Sequence, residues 1–264
     1  MNAVPQAMPL AVLIDFDGTI ARSDVSDEVM RRFASPGEWA PLEAAYIHGE
    51  IGSRTLLSRQ AALLRGETEV IANIGDDQEL DPHFAPFVAF LRAHSIAIEV
   101  VSDGFGFFVG PSLERAGVGD VPVFTARTWF PPKRVAIAFP DGHPSCSVCG
   151  TCKRERILLH QRAGRFVVFI GDGFSDLYAA SHADLVFAKD HLALLCLDRG
   201  LPFRPWEDFA QIQDALSELI SNGVPSPRPR PFVCGPEVWP PGTTEPLWDR
   251  APAPRAESDG VGSA

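Results

Sequence analysis

Six polar side chains stand where apolar runs of this 264-residue chain break off. They are Asp15 and Asp17 in DFDGT, Ser102 in SDG, Lys153 after a cysteine-rich segment, and Asp172 and Asp176 in GDGFSD. Asp15 and Asp17, two residues apart on extended chain, point to the same side, and Gly18 lets the backbone turn sharply behind them. Read alone, DFDGT could be a solvated turn, since Asp and Gly are common turn residues. If the segments are neighbours, four carboxylates share one crevice. They would repel, and burial would raise their pKa values unless a cation neutralised them. One lysine is not enough. A hard divalent cation with oxygen ligands is implied, and Mg²⁺ suits a site with few carboxylates and a phosphate oxygen. A carboxylate, a lysine, a hydroxyl and Mg²⁺ make a phosphoryl-transfer site, in which positioning and charge neutralisation carry the rate.

The elements around these residues must bring them together. Leu10–Ile14 is an unbroken apolar run, which reads as a strand buried on both faces of a parallel sheet. Ile96–Val101 and Phe166–Ile170 repeat the pattern of an apolar strand followed by a small polar turn. Shorter strands are expected at Val121–Thr125 and Leu185–Ala188, and a hairpin over Arg134–Phe139 with its turn at Asp141–Gly142. Helices are expected at Val25–Phe33, Glu38–Ile47, Arg54–Leu64 and Glu67–Ile74, with Pro36–Gly37, Gly49–Gly52 and Gly66 as separators. Further helices are expected at His83–Ala93, Phe105–Ala116, Arg154–Arg162, Leu177–His182, His191–Gly200 and Glu207–Ser221. The fold class is α/β, a doubly wound parallel sheet with a small helical cap inserted after the first strand. Residues 1–20 and 82–221 form the core domain and 21–81 the cap. Residues 222–264, with ten of the 24 prolines, form a Pro-rich tail that cannot build a core.

Charge narrows the partners. The chain has 23 basic and 34 acidic residues, a net charge of −11, whereas phosphate-backbone binding needs clustered Lys and Arg. Nucleic acid and anionic membrane are therefore not expected partners, and no apolar run approaches the roughly 20 residues of a membrane span. A small phosphorylated metabolite remains, provided the site supplies its own cations. The N-terminal MNAVPQAMPL has neither the basic region nor the apolar core of a signal peptide, and the five cysteines do not form a secreted disulfide framework. A reducing cytoplasm is the expected setting.

Together, DFDGT, Ser102, Lys153 and GDGFSD resemble the four ordered motifs of the haloacid-dehalogenase superfamily, with the Rossmann-like sheet that family uses. The resemblance implies that Asp15 is the nucleophile and becomes an aspartyl-phosphate. Asp17 would protonate the leaving oxygen and then activate water. Ser102 and the amide near Gly104 would hold phosphate oxygens, and Lys153 would screen Asp15 and the phosphoryl group. Asp172 would ligate Mg²⁺ with Asp15 and the Asp17 carbonyl, and Asp176 would be a ligand or stand behind the ligands. Relatives that are dehalogenases or transport ATPases lack an acid at the position of Asp17, so a phosphatase is implied, with a phosphomutase still open. The insert between the first two motifs is similar to that of the phosphoserine-phosphatase-like branch. VSDGFGFFVGPSLERAGV, CSVCGTCK and GDGFSDLYAASHADLVFAKDHL look most like the methionine-salvage phosphatases acting on 2-hydroxy-3-keto-5-methylthiopentenyl-1-phosphate. Asp103 departs from them, because relatives commonly have glycine there, and an acid would repel a dianion unless it points away. Asp24, at the root of the cap, matches a glutamate that phosphoserine phosphatases use for the substrate's amino group. It is the candidate for the first substrate contact of the cap, against a plain helix-capping role.

Other residues admit blander readings. His143, Cys146, Cys149 and Cys152 have a spacing that could supply four zinc ligands, but a loop of small buried thiols is the preferred reading. Phe105, Phe107 and Phe108 could line a substrate pocket, though a phenylalanine-rich helix start is more often core. A phosphate-sensing receiver-like module would share the acidic pocket, hydroxyl and lysine, but would lack the second acid of DFD and the helical insert.

Overall fold

In a computed structural model, which describes residues 8–74, 78–132 and 134–228, strand β1 (Leu10–Ile14) is buried along its whole length. Its side chains divide between two cores. Leu10, Val12 and Ile14 join one apolar cluster, and Ala11 and Leu13 the other. That division explains the unbroken apolar run, since both faces of a parallel strand are covered.

From β1 the chain enters four helices: α1 (Val25–Phe33), α2 (Pro36–Ile47), α3 (Ser53–Leu63) and α4 (Thr68–Ala72). It returns through α5 (Phe84–Ala93), β2 (Ala97–Val101), α6 (Val109–Arg115), β3 (Val123–Phe124) and the pair β4 (Arg127–Trp129) and β5 (Ala136–Ala138). The last part comprises α7 (Lys153–Arg162), β6 (Phe166–Gly171), α8 (Leu177–His182), β7 (Leu185–Ala188), α9 (Asp190–Asp198), β8 (Arg204–Pro205) and α10 (Phe209–Asn222). Six strands form one parallel sheet in the order β3-β2-β1-β6-β7-β8. The order reverses at β1, so the carboxyl ends of β1, β2 and β6 flank the crevice where such sheets hold ligands. No helix among the described residues is long and apolar enough to cross a membrane.

The helices α1–α4 leave and rejoin the sheet domain through two adjacent backbones. Ala21 and Leu80 pair as an antiparallel bridge, Arg22 N–H donates to Glu79 O at 2.9 Å, and Asp81 N–H donates to Ile20 O at 2.9 Å. Val25, Val29 and Met30 of α1 are buried in the same cluster as β1, while Asp27 and Glu28 in its first turn and Arg31 and Arg32 in its last complement the helix dipole.

Several boundaries differ from the sequence reading. Pro36 and Gly37 do not separate helices; they open α2, with Pro36 in the first turn, where its missing N–H costs nothing. The hairpin pairs β4 with β5, so its turn precedes Arg134–Phe139 instead of falling at Asp141–Gly142. Helix α6 starts at Val109, not Phe105, because Gly106 takes φ +81° and the Thr128 hydroxyl holds the Phe105 carbonyl. Beyond α10 the chain still touches the domain: the Arg228 guanidinium donates to the carbonyls of Ala180 and Ala183. The rest of the Pro-rich tail, from 229, lies outside the described residues.

Candidate active site

Lys153 opens α7, and its buried ammonium spends all three protons in one place. It donates to Asp15 Oδ1 at 2.6 Å, Asp176 Oδ1 at 2.6 Å and Ser175 Oγ at 3.1 Å. Burial alone would push this lysine down, but Asp15, Asp176 and Asp103 outweigh it and hold the group well above its ordinary value. Asp15 is fixed from behind by its N–H to Ile170 O at 3.0 Å, the last rung between β1 and β6. Even with Lys153 on one oxygen, burial and then Asp176 raise the Asp15 carboxyl well above the usual range.

Asp17 is held quite differently. Its Oδ1 accepts from Val25 N–H at 3.0 Å and its Oδ2 from the Ser26 hydroxyl at 3.1 Å, so the carboxyl sits on the first turn of α1. Burial and then Asp24 raise its pKa well above the model-peptide range. The two acids of DFDGT are therefore held differently: Asp15 is clamped by an ammonium, Asp17 by a backbone N–H and a hydroxyl at the start of α1, and burial raises both. Gly18 has φ +66°, and a Cβ there would run into the Asp172 carboxylate. Asp172 in turn accepts from the Thr19 hydroxyl at 2.7 Å, and burial followed by Asp176 pushes it up to about 7.

Asp176 has no free oxygen. Oδ1 takes Lys153, and Oδ2 takes the N–H groups of Asp172 and Gly173, each at 3.0 Å. It ties the turn after β6 to the lysine. Carboxylate oxygens of Asp15, Asp172 and Asp176 lie within 4.8 Å of one another, a set that could hold a metal ion. The donor chemistry fits: the ligands are hard oxygens, and burial and then Asp176 raise Asp15 and Asp172 despite Lys153. With Asp176 fully engaged, Asp15 and Asp172 are the side chains with room for a cation.

Ser102, at the end of β2, is fully buried, and its hydroxyl has no hydrogen-bond partner in the structure. A buried orphan of this kind needs a reason, and here it lines the same cavity as Asp15, Asp17 and Asp172, about 850 Å³ in volume. Gly104 follows it; a Cβ there would stand 2.5 Å from Asp17 Oδ2 and 2.8 Å from Ser26 Oγ. Only glycine lets this loop approach the second acid.

Both Asp103 oxygens are tied to neighbouring segments, while its charge still helps hold Lys153 up. Oδ2 accepts from the Ser53 hydroxyl at 2.5 Å and Oδ1 from Thr151 N–H at 2.9 Å, while Ser53 Oγ accepts from Gly150 N–H at 3.1 Å. Three segments meet there: the loop after β2, the start of α3 and the cysteine-rich loop before Lys153. Arg54 completes the joint, with its N–H on Val148 O at 3.2 Å and its Nε on Cys149 O at 3.1 Å. The cysteine loop is thus a seat for α3. Among the described residues, His143, Cys146, Cys149 and Cys152 do not bring ligand atoms together as a metal-sized group. Burial pushes the Cys152 thiol up to about 11.

Asp24 lies at the cavity rim and is also the N-cap of α1, accepting from Asp27 N–H at 2.8 Å. Of the phenylalanines after β2, Phe105 and Phe108 are buried in the core and none of the three lines the cavity. The sequence reading gave no role to Thr19, Ser26, Ser53 or Ser175. The Thr of DFDGT was in plain view; the serines carry no signal until distant segments meet.

Residues 12–181 match the family of haloacid dehalogenase-like hydrolases. The chain is 32% identical over 212 residues to the 2-hydroxy-3-keto-5-methylthiopentenyl-1-phosphate phosphatase of Bacillus pumilus, covering 79% of this chain and 91% of that protein. It is 33% identical over 217 residues to the phosphatase of the same name from Geobacillus kaustophilus, covering 80% and 96%. A solved phosphoserine phosphatase, in the form of a phospho-aspartyl intermediate analogue, superposes with a TM-score of 0.61 at 17% identity, over 81% of this chain and 99% of that one, a likeness of fold.

Proposed function

The chain belongs to the haloacid dehalogenase-like hydrolases and is a phosphatase, and we propose that it is a Mg²⁺-dependent one working through an aspartyl-phosphate on Asp15. The observation that carries this reading is the contrast between the two acids: Asp15 bound by Lys153, Asp17 bound by a helix N-terminus. Lys153 orients Asp15 and spreads its charge, leaving Oδ2 to attack phosphorus. As the new bond forms, the bond to the leaving oxygen breaks, and Asp17 supplies that oxygen's proton. Asp17, now ionised, takes a proton from water, which attacks the same phosphorus and frees Asp15 as inorganic phosphate leaves. The Ser102 hydroxyl and the amide of Gly104 donate to the phosphoryl oxygens. Asp15, Asp172 and the Asp17 carbonyl would hold Mg²⁺, which when bound neutralises charge on the transferred group. Asp176 acts from behind, by holding Lys153 and the turn that carries Asp172. The helices of 21–81 act as a cap over this centre.

The substrate we assign is 2-hydroxy-3-keto-5-methylthiopentenyl-1-phosphate, supported by relatives of that name at 32% and 33% identity across most of both chains. The test is phosphate release from that compound and from O-phosphoserine, each with Mg²⁺ and with EDTA. Turnover of the first, lost in EDTA, with slow phosphoserine hydrolysis is the expected result. Undiminished activity in EDTA would overturn the metal assignment, and efficient phosphoserine turnover would overturn the substrate.

A further inference from the structure

We infer that the cavity ends in an apolar subsite, built by Tyr46, Ile47 and Leu56 of the cap with Phe174 and Leu194 of the core, that takes the uncharged tail of an alkyl or thioalkyl phosphate. All five line the cavity that holds Asp15. Ile47 and Leu194 are conspicuous there, because they are large aliphatic side chains left 42% and 64% exposed. Exposed aliphatic side chains are ordinary one at a time, but these two line one cavity, from the end of α2 and from α9. In the same lining the rings of Tyr46 and Phe174 meet edge-on at 6.5 Å, and Phe174 packs on His191 at 4.9 Å. These side chains share one cavity with Asp15, so a substrate anchored there can lay its far end on them.

Charge disfavours an anionic tail. Asp24, Asp27 and Glu43 also line the cavity, and its buried cation, Lys153, is already shared by two carboxylates. Arg22 pairs with Glu79 at 3.0 Å, Lys153 with Asp15 and Asp176, and Lys189 lies 4.1 Å over the Trp206 ring. A substrate carrying a carboxylate or a second phosphate would meet three acids there. An apolar tail meets leucine, isoleucine and aromatic edges, and excludes water from them.

This rests on the phosphatase reading, so the experiment measures binding apart from turnover. Methyl-, ethyl-, propyl- and butylphosphonate, which cannot be hydrolysed, are titrated calorimetrically in Mg²⁺. The matching alkyl phosphates and the carboxylate-tailed 3-phosphonooxypropanoate are assayed for phosphate release. Affinity should rise by about fourfold per methylene, the binding-constant ratio that corresponds to ~0.8 kcal/mol for a buried methylene. Leu194→Ser and Ile47→Ser should flatten that slope, while Leu159→Ser, an exposed leucine outside the cavity, should leave it alone. 3-Phosphonooxypropanoate should be a worse substrate than butyl phosphate by tenfold or more. A flat series, no phosphonate binding, or preference for the carboxylate tail would overturn the subsite. A rising phosphonate series without phosphate release would retain the subsite and overturn the phosphatase reading instead.

Discussion

Replacing Lys153 with Met tests the electrostatics of the site without disturbing its shape. Methionine fills nearly the same volume, so the packing cost is small. What remains is Asp15 and Asp176, both buried, without the ammonium that stood 2.6 Å from each. Removing one partner of a buried ion pair costs about 3–5 kcal/mol, and here two carboxylates lose the same partner. In EDTA at pH 8, Lys153→Met should therefore lose about 3–5 kcal/mol in urea denaturation. The sign with pH follows from the directions of the shifts. The Lys153 pKa is raised, so in the wild type the ammonium stays charged throughout the neutral range. The Asp15 pKa is raised even with the lysine present, and more so without it. An acid with a raised folded pKa destabilises the fold as pH rises from the unfolded value toward the folded one, and the penalty disappears when both states are protonated. The deficit of the variant should accordingly shrink between pH 8 and pH 5. A loss below about 1 kcal/mol at pH 8, against the 3–5 expected for a broken buried pair, would refute the reasoning. So would a deficit that does not change with pH.

Other expectations follow from the same geometry. Asp103→Ala strands the Ser53 hydroxyl and Thr151 N–H and should cost about 1–3 kcal/mol in thermal or urea melts. Asp103→Asn keeps an acceptor for Thr151 and should recover most of that loss. With Asp172 pushed up to about 7 and Asp15 raised well above the usual range, Mg²⁺ must displace protons at pH 6, so calorimetry in buffers of different ionisation heat should detect at least about one proton released per metal. The metal-free protein should lose stability as pH rises from the unfolded value of Asp172 toward 7, and Mg²⁺ should restore it. Asp17→Asn should lower turnover of an alkyl phosphate by about 10²–10⁴-fold, with an unchanged melting profile.

The legible parts of this chain are those whose cause is local. Leu10–Ile14 announced a strand covered on both faces, and the structure splits its side chains between two cores. The strand order could not be read, because it depends on which non-local ladders form, yet it is the order β2-β1-β6 that brings Ser102, Asp15 and Asp172 around one cavity. Asp103 was legible as an oddity and not as a hydrogen-bonded joint, since its partners Ser53 and Thr151 lie 50 and 48 residues away. A separation of 95 residues hid the role of the cysteine loop, whose spacing suggested a metal while its backbone receives α3. Pro36–Gly37 was misread because the first turn of a helix and a break between helices favour the same residues.

The nucleophile itself can be caught chemically. In Asp17→Asn, p-nitrophenyl phosphate still supplies a leaving group that needs no proton, but water has no base to deprotonate it, so the phosphorylated enzyme should accumulate. Acid quenching, borohydride reduction and mass spectrometry of the tryptic peptide ending at Arg22 then locate the acyl phosphate. Conversion of Asp15 to homoserine, dependent on substrate and Mg²⁺, is the expected result. An unmodified Asp15, or reduction at Asp172 or another acid, would contradict the account.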